Sequence, residues 1–419
     1  MGERAKLRPA RGALLARASR ILFAPERLSL AALSLSGIAT VISVALPAPE
    51  RGFLSASVVS GTLGAALGSF SIDTYLLSRP SGWVLYRGWQ WVLILLTGSV
   101  ALSALSAAAL TTIAGIGSYP VSAGGAAALT VFNAAAALSM RLKRFGFVYA
   151  MRAAGGAVLL AGYGTLYLGT DRVGARWAGM WLAAQVVIAV AVGAEVVRRA
   201  LALRTAPREP EPVPPPGAAG TRRGDLAAMA RLHVGICAQM LTFRLDQVLL
   251  ARFAGAGPLG VYALAVSALE FAQAGAVVTA QRILADRTPR TGAQKAGPVL
   301  RAAVPVALLA VLGLVAIGAL VPGYRQAWLL GLLLVPGCLA VSMGKTWSAN
   351  LLKQRGEQAT TAVALRTVAV AVPGYLLLVF WFGAVGAAIT SSVAYTLHAL
   401  LSRLRLRRPV PAPLATGVA

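Results

Sequence analysis

Acidic residues, histidine and cysteine are all scarce in this chain of 419 residues: thirteen Asp and Glu, two His and two Cys. Cys237 and Cys338 each stand alone inside an apolar segment, with no CxxC spacing and no disulfide framework, so they read as small core residues. With so few carboxylates and histidines there is no HExxH, no pair of carboxylates at helical spacing and no serine with a nearby His and Asp. No catalytic residue, metal ligand or cofactor is therefore expected, and the chain does not read as an enzyme. Charge of any sign is also sparse, at 12% of residues against 58% hydrophobic. That balance excludes a water-soluble globule, whose surface needs more charge than this, and leaves lipid as the solvent for most of the chain.

What charge there is has one sign, for 39 Lys and Arg give a formal net charge of +26. In a soluble protein that excess would suggest nucleic acid, but here the cations sit between apolar runs and form no basic, aromatic-rich face. No nucleic-acid partner is expected; the bilayer and its anionic headgroups are. Arg4, Lys6, Arg8, Arg11, Arg17, Arg20 and Arg27 precede the first long apolar run, and no small-residue cleavage site follows it. The first helix is expected to be retained. The preference for Arg over Lys and the richness in Ala, Gly and Pro are the composition associated with GC-rich bacterial genomes.

Apolar stretches of roughly 17 to 25 residues, the length that spans a bilayer, occur twelve times. Six lie near Leu28–Leu46, Phe53–Leu77, Trp89–Ala114, Tyr119–Met140, Ala153–Thr170 and Trp177–Val197. Six more lie near Leu226–Phe253, Pro258–Ala280, Ala296–Val321, Ala327–Leu351, Ala359–Phe380 and Phe382–Leu401. Between the sets, the proline-rich run at 209–217 lacks the apolar content to cross a membrane and reads as an extended linker. The predicted architecture is all-α and polytopic: a basic segment 1–27, a six-helix lobe 28–197, a linker 198–224, a six-helix lobe 225–402 and a tail 403–419.

Positive charge collects in loops that stay on the cytoplasmic side, which tests this topology independently. With the N-terminus inside, the inside segments receive 29 of the 39 basic residues, and the outside loops only Arg51, Arg172, Arg176, Arg252 and Arg325. A spurious or missed helix would invert that asymmetry downstream. Both termini are thus expected in the cytoplasm, in the cell membrane. Six spans per half is an even number, so the halves share an orientation and read as parallel repeats. The short turn with Gly52 and the one with Gly257 and Gly260 occupy corresponding places, each opening the second helix of its half.

Two apparent motifs are discounted. Gly344-Lys345-Thr346 resembles the end of a phosphate-binding loop but lacks the glycine where Leu339 stands and lies within a span; Asp171 to Arg176 resembles a transporter loop signature but falls on the outside. Prolines 305, 336 and 373 fall inside spans, where each allows a bend. Gly64 and Gly68 form a GxxxG that ordinary packing explains.

The informative residues are the ionisable ones within spans or at their ends: Asp73, Arg231, His233, Arg244, Asp246, Glu270, Arg301, Lys345 and Arg366. Each costs about 2.5–3.5 kcal/mol at a helix centre, so such residues usually face a bundle interior or a wet cavity. Arg231 and Arg301 lie near span ends and read as snorkelling, and His233 and His398 as packing residues. Cations outnumber carboxylates, which favours a cavity that receives an anion, with Arg244, Lys345 and Arg366 as its candidate contacts. Asp73, Asp246 and Glu270 are candidates for ion coupling or for interhelical pairs. Arg244 and Asp246 are two residues apart and cannot face each other on a helix, so each needs a partner elsewhere, and an interhelical pair or a substrate contact both fit.

The run Phe243-Arg244-Leu245-Asp246-Gln247-Val248-Leu249-Leu250, leading through a glycine turn to Gly260, Tyr262 and Ala265, resembles the Wzx-type polysaccharide flippases of the multidrug/oligosaccharidyl-lipid/polysaccharide exporter superfamily. In the first half Leu54 stands where that pattern has an aromatic residue. The resemblance implies a V-shaped, MATE-like pair of six-helix lobes that open alternately to each side and move a polyprenyl-diphosphate-linked oligosaccharide, with polysaccharide-assembly proteins as candidate partners. It implies no ATP hydrolysis. A cation-coupled drug antiporter of the same superfamily is the nearest alternative and would place acidic residues in the lobe cores. A membrane enzyme of polysaccharide assembly would need an acidic cluster or a large outside loop. A non-transporting scaffold would leave the intramembrane cations without a function.

Overall fold

A computed structural model describes residues 25–78, 89–142, 144–205, 222–285 and 296–408. Among them the regular structure is helical throughout. Hydrocarbon offers a peptide group no partner, so a chain this apolar satisfies its backbone within each segment. The first half comprises α1 (Pro25–Ile42), α2 (Ala48–Gly68), α3 (Ile72–Ser78), α4 (Trp89–Ala114), α5 (Tyr119–Arg141), α6 (Phe145–Leu168) and α7 (Gly174–Thr205). The second comprises α8 (Arg222–Ala254), α9 (Ala256–Glu270), α10 (Ala274–Ala285) and α11 (Gly297–Leu320), followed by the continuous stretch Ala327–Arg407. Gly356 (φ 75°) and Gly383 (φ 55°) reverse the chain within that stretch, dividing it into α12 (327–355), α13 (357–382) and α14 (384–407).

Nine helical stretches among the described residues are long and apolar enough to cross a membrane. The last of them is the one that the two glycines cut into three. The remaining predicted span, 53–77, is α2 and α3 together, broken where Phe70 and Ser71 adopt φ of 50° and 52°. The matching span of the second half, α9 and α10, is also broken, by a 3-10 turn at Phe271–Gln273. The chain is a multi-pass membrane protein. α7 runs on to Thr205 and α8 starts at Arg222, so both helices enter the predicted linker 198–224; residues 206–221, the basic segment 1–24 and the tail 409–419 lie outside the described residues. The bends in 327–407 sit at the glycines, while Pro336 and Pro373 are carried inside helices.

Helix ends are closed by side chains from neighbouring elements. Arg51, 3% exposed, turns back from the start of α2 and donates to the Thr40 carbonyl (3.2 Å) and to Ser43 Oγ, covering carbonyls at the end of α1. Glu50 Oε2 accepts from the Gly174 N–H (2.7 Å) at the start of α7, where a carboxylate complements the helix dipole. Asp171 belongs to the same end. It accepts from the Val173 N–H (2.8 Å) and pairs with Arg176 (2.5 Å), and these contacts hold its carboxyl below the usual carboxylate range.

The halves meet at two levels. At the end away from the chain termini, α2 crosses α9 at Gly52 and Gly260. A methyl group on Gly52 would lie inside the Ala256 carbonyl, and one on Gly260 inside the Ala48 carbonyl. The two contacts are reciprocal, four residues from glycine to carbonyl in each direction, which is what parallel repeats produce when corresponding helices cross. Tyr324 adds a hydrogen bond to the Leu46 carbonyl (2.8 Å). At the opposite end, Tyr75 donates to Asp225 Oδ1 (2.5 Å), Tyr149 to Gln281 Oε1 (2.8 Å), and Ser71 Oγ lies 3.1 Å from His233 Nδ1. The lobes are thus in contact at both ends.

Gly260→Ala is expected to cost about 1–3 kcal/mol through backbone overpacking, whereas Gly257→Ala, with open space around its Cβ position, should be neutral. Thermal unfolding of the two variants in detergent micelles checks this, and equal melting temperatures would contradict the crossing.

Candidate functional site

A cavity of about 390 Å³ opens in the second lobe between α8, the α9–α10 span, α12 and α14, with Thr74 of α3 contributing from the first lobe. The broken span shapes it. Glu270 ends α9 and Gln273 ends the following 3-10 turn, so the two side chains, three residues apart, project toward α8 and α12. Arg244 of α8 meets Glu270 there (Nη2 to Oε1, 2.5 Å), with side chains 25% and 41% exposed, and Lys345 of α12 donates to Gln273 Oε1 (2.7 Å). The cavity therefore holds two cations against one carboxylate. Gln239, Gln281, Ser348 and the Tyr395 ring also line it, and apolar walls fill the remainder.

Asp246 takes no part in the cavity. Two residues beyond Arg244, about 200° further round the helix, it points into the lobe core and is fully buried. It accepts from Tyr262 Oη, from Ser391 Oγ (3.0 Å) and from the Gln247 N–H (2.8 Å). Tyr375 donates to the Thr242 carbonyl (2.7 Å) and lies 3.1 Å from Ser391 Oγ. A buried carboxylate without such partners would be strongly destabilising, and with them it ties α8, α9, α13 and α14 together. The glycine-turn motif acquires a physical account here. Gly260 permits the crossing with α2, Tyr262 reaches back to Asp246, and Ala265 is buried in the core. In the first half buried Leu54 occupies the place of Tyr262 and brings no such hydroxyl.

Of the three predicted cavity cations, the structure brings Arg244 and Lys345 together and leaves Arg366 out. Arg366 is exposed on α13 and does not line the cavity. Its position in sequence is deep within a span, but it lies on the face of α13 turned away from the lobe interior. Asp73 is half-buried in the first turn of α3, within electrostatic reach of Arg152 and His233, and is likewise outside the cavity. Arg231 pairs with Glu357 at 3.7 Å, and Arg301 is exposed at the start of α11, as snorkelling side chains are. His398 is buried, its Nε2 3.0 Å from Ser348 Oγ and 3.4 Å from Gln239 Nε2. Among the described residues no group of three His, Cys, Asp or Glu side chains is placed to hold a metal. The neutral polar lining escaped the charge-based reading. Its signal was Gln239, Gln273 and Gln281, three amides inside otherwise apolar runs.

Comparison with protein-family models and with curated proteins finds no match, whereas comparison with solved structures finds several. An inward-facing multidrug resistance MATE family transporter of the MOP superfamily superposes with a TM-score of 0.55 at 15% identity, over 89% of this chain and 94% of that one. The lipid II flippase MurJ, in an inward closed conformation, also gives 0.55, at 11% identity over 93% of this chain and 88% of its own. The chain has the fold of the MATE transporters and MurJ. A mutant of the Vibrio cholerae MATE transporter VcmN gives 0.51 at 14% identity, covering 94% of this chain and 96% of that one. At such identities the likeness establishes the MATE-like fold and assigns no substrate.

Tyr262→Phe removes a donor from a buried carboxylate and is expected to cost about 1–3 kcal/mol. Tyr395→Phe forfeits a bond to the Phe243 carbonyl (3.2 Å) at the cavity edge rather than one to a carboxylate and should cost less. Chemical unfolding of both variants ranks them, and the reverse order would contradict a structural role for Asp246.

Proposed function

We propose that the chain is a flippase-type transporter that moves a polyprenyl-diphosphate-linked oligosaccharide across a bacterial cell membrane by alternating access, with both termini cytoplasmic. The observation that carries this reading is the cavity's composition: Arg244 and Lys345 face it with Glu270 as their only carboxylate counterpart among its lining residues. A diphosphate headgroup takes charge-assisted hydrogen bonds from an arginine fork and a lysine ammonium. Glutamine amides and Ser348 beside them supply neutral donors and acceptors for sugar hydroxyls. The lipid tail remains in the bilayer, and polysaccharide-assembly proteins would deliver or consume the headgroup. The shared fold with a lipid II flippase, MurJ, supports this reading.

A cation-coupled small-molecule antiporter is the second reading. It is favoured by Glu270, a partly exposed carboxylate in the same cavity, and by the size of the cavity, which falls in the range of about 300–1,000 Å³ that suits small ligands.

In liposomes containing the purified protein, transbilayer movement of a fluorescent polyprenyl-diphosphate sugar is expected, falling about tenfold or more in Arg244→Ala and Lys345→Ala, since each charge-assisted contact contributes about 1.5–3 kcal/mol. Absence of movement for any such lipid, with drug efflux driven by an imposed cation gradient, would replace the first reading by the second.

A further inference from the structure

The arginines of the second lobe gather outside the cavity, at the end of the bundle where the chain leaves α14. Arg355, at the end of α12, donates to the Leu406 carbonyl (3.4 Å), which brings the end of α12 against the end of α14. Arg403 stacks over the Trp347 ring, 5.6 Å from its centroid, and Arg403 and Arg408 are exposed. Arg366 of α13, exposed as described above, lies within electrostatic reach of Arg405, as do Arg355 and Arg408. Among the described residues no carboxylate pairs with any of these five arginines, and Glu357, beside Arg355 in sequence, pairs with Arg231.

The first lobe handles the same problem differently. At its corresponding end Arg198 and Arg199 share Glu195 at 2.7 and 2.5 Å, and Arg144 joins them on the same carboxylate. A general excess of positive charge on this face accounts for arginines at both places. It does not account for a concentration in the second lobe that forgoes any acidic partner. Mutual repulsion among guanidiniums this close is relieved by an anion that several of them share, and planar donor forks match phosphate oxygens. Arg355, Arg403, Arg405 and Arg408 stand at helix ends where spans meet the membrane surface, which places such an anion at headgroup depth.

We propose that the arginine cluster formed by Arg355, Arg366, Arg403, Arg405 and Arg408 is a binding site for the phosphate headgroup of an anionic phospholipid in the adjoining leaflet. The site is separate from the transport cavity and does not depend on which substrate that cavity takes. A bound phospholipid bridges α12, α13 and α14 on the face where the ends of α12 and α14 meet.

The test uses full-length protein in vesicles of mixed phosphatidylglycerol and phosphatidylcholine, with retained lipid counted by native mass spectrometry. Wild type is expected to retain phosphatidylglycerol preferentially, and the Arg366→Gln, Arg405→Gln double variant to lose at least about tenfold of that preference, while Arg144→Gln in the first lobe keeps it. Unchanged retention in the double variant would overturn the proposal, as would inorganic phosphate at millimolar concentration displacing the lipid, which would make the ligand a free anion. If the double variant is not recovered folded, a photoactivatable phosphatidylglycerol on the wild type must label 403–408 or 355–366. Labelling only elsewhere would overturn the assignment.

Discussion

Hydrocarbon gives neither a peptide group nor a charge anything to bind, and the rest of this structure depends on how that constraint is met. Backbone groups are satisfied within helices, and the few places where the helix is interrupted are those where glycine or a local turn accommodates the break. Charges are met side chain by side chain. Asp246 sits in a cage of hydroxyls and one backbone amide, Arg244 meets Glu270, and Lys345 meets Gln273. The second lobe is therefore organised around two polar centres on opposite faces of α8. One is sealed and holds helices together; the other is open to the cavity, where its two cations meet Glu270 and Gln273.

The same constraint explains why the halves are alike in outline and unlike in chemistry. Reciprocal glycine contacts at the α2–α9 crossing need only that neither helix carry a side chain there, and both halves comply. The polar machinery needs specific residues, and those are concentrated in the second half. Leu54 in place of Tyr262 marks the difference at a single position. The lobes therefore meet through a crossing of two smooth helices at one end, with Tyr324 bonded to Leu46 beside it, and through Tyr75–Asp225 and Tyr149–Gln281 at the other.

Much of the fold was legible in the sequence because hydropathy and loop charge report on the solvent rather than on detailed packing. The apolar spans and the parallel relation of the halves follow from them, while most of the predicted linker lies outside the described residues. Spans broken at residues 69–71 and 271–273 were not legible, since Phe70, Ser71 and Phe271 carry no helix-breaking signature. At the site, depth within a span singled out Arg244, Lys345 and Arg366 alike; the first two line the cavity and Arg366 does not, because depth does not say which face of a helix looks inward, and α13 turns Arg366 outward. The separation of Arg244 from Asp246 was readable from their spacing of two. Which partner each would find depended on the break after Glu270 and on Ser391, 145 residues from Asp246 along the chain.

The central claim is that the second-lobe cavity is exposed to opposite sides of the membrane in turn. A single cysteine in place of Gln239, in a chain whose Cys237 and Cys338 are replaced by serine, reports on it through labelling with impermeant thiol reagents applied from each side of oriented vesicles. The account predicts labelling from one side at rest and from the opposite side as well once a polyprenyl-diphosphate sugar is supplied. Labelling from one side alone under every condition would contradict it.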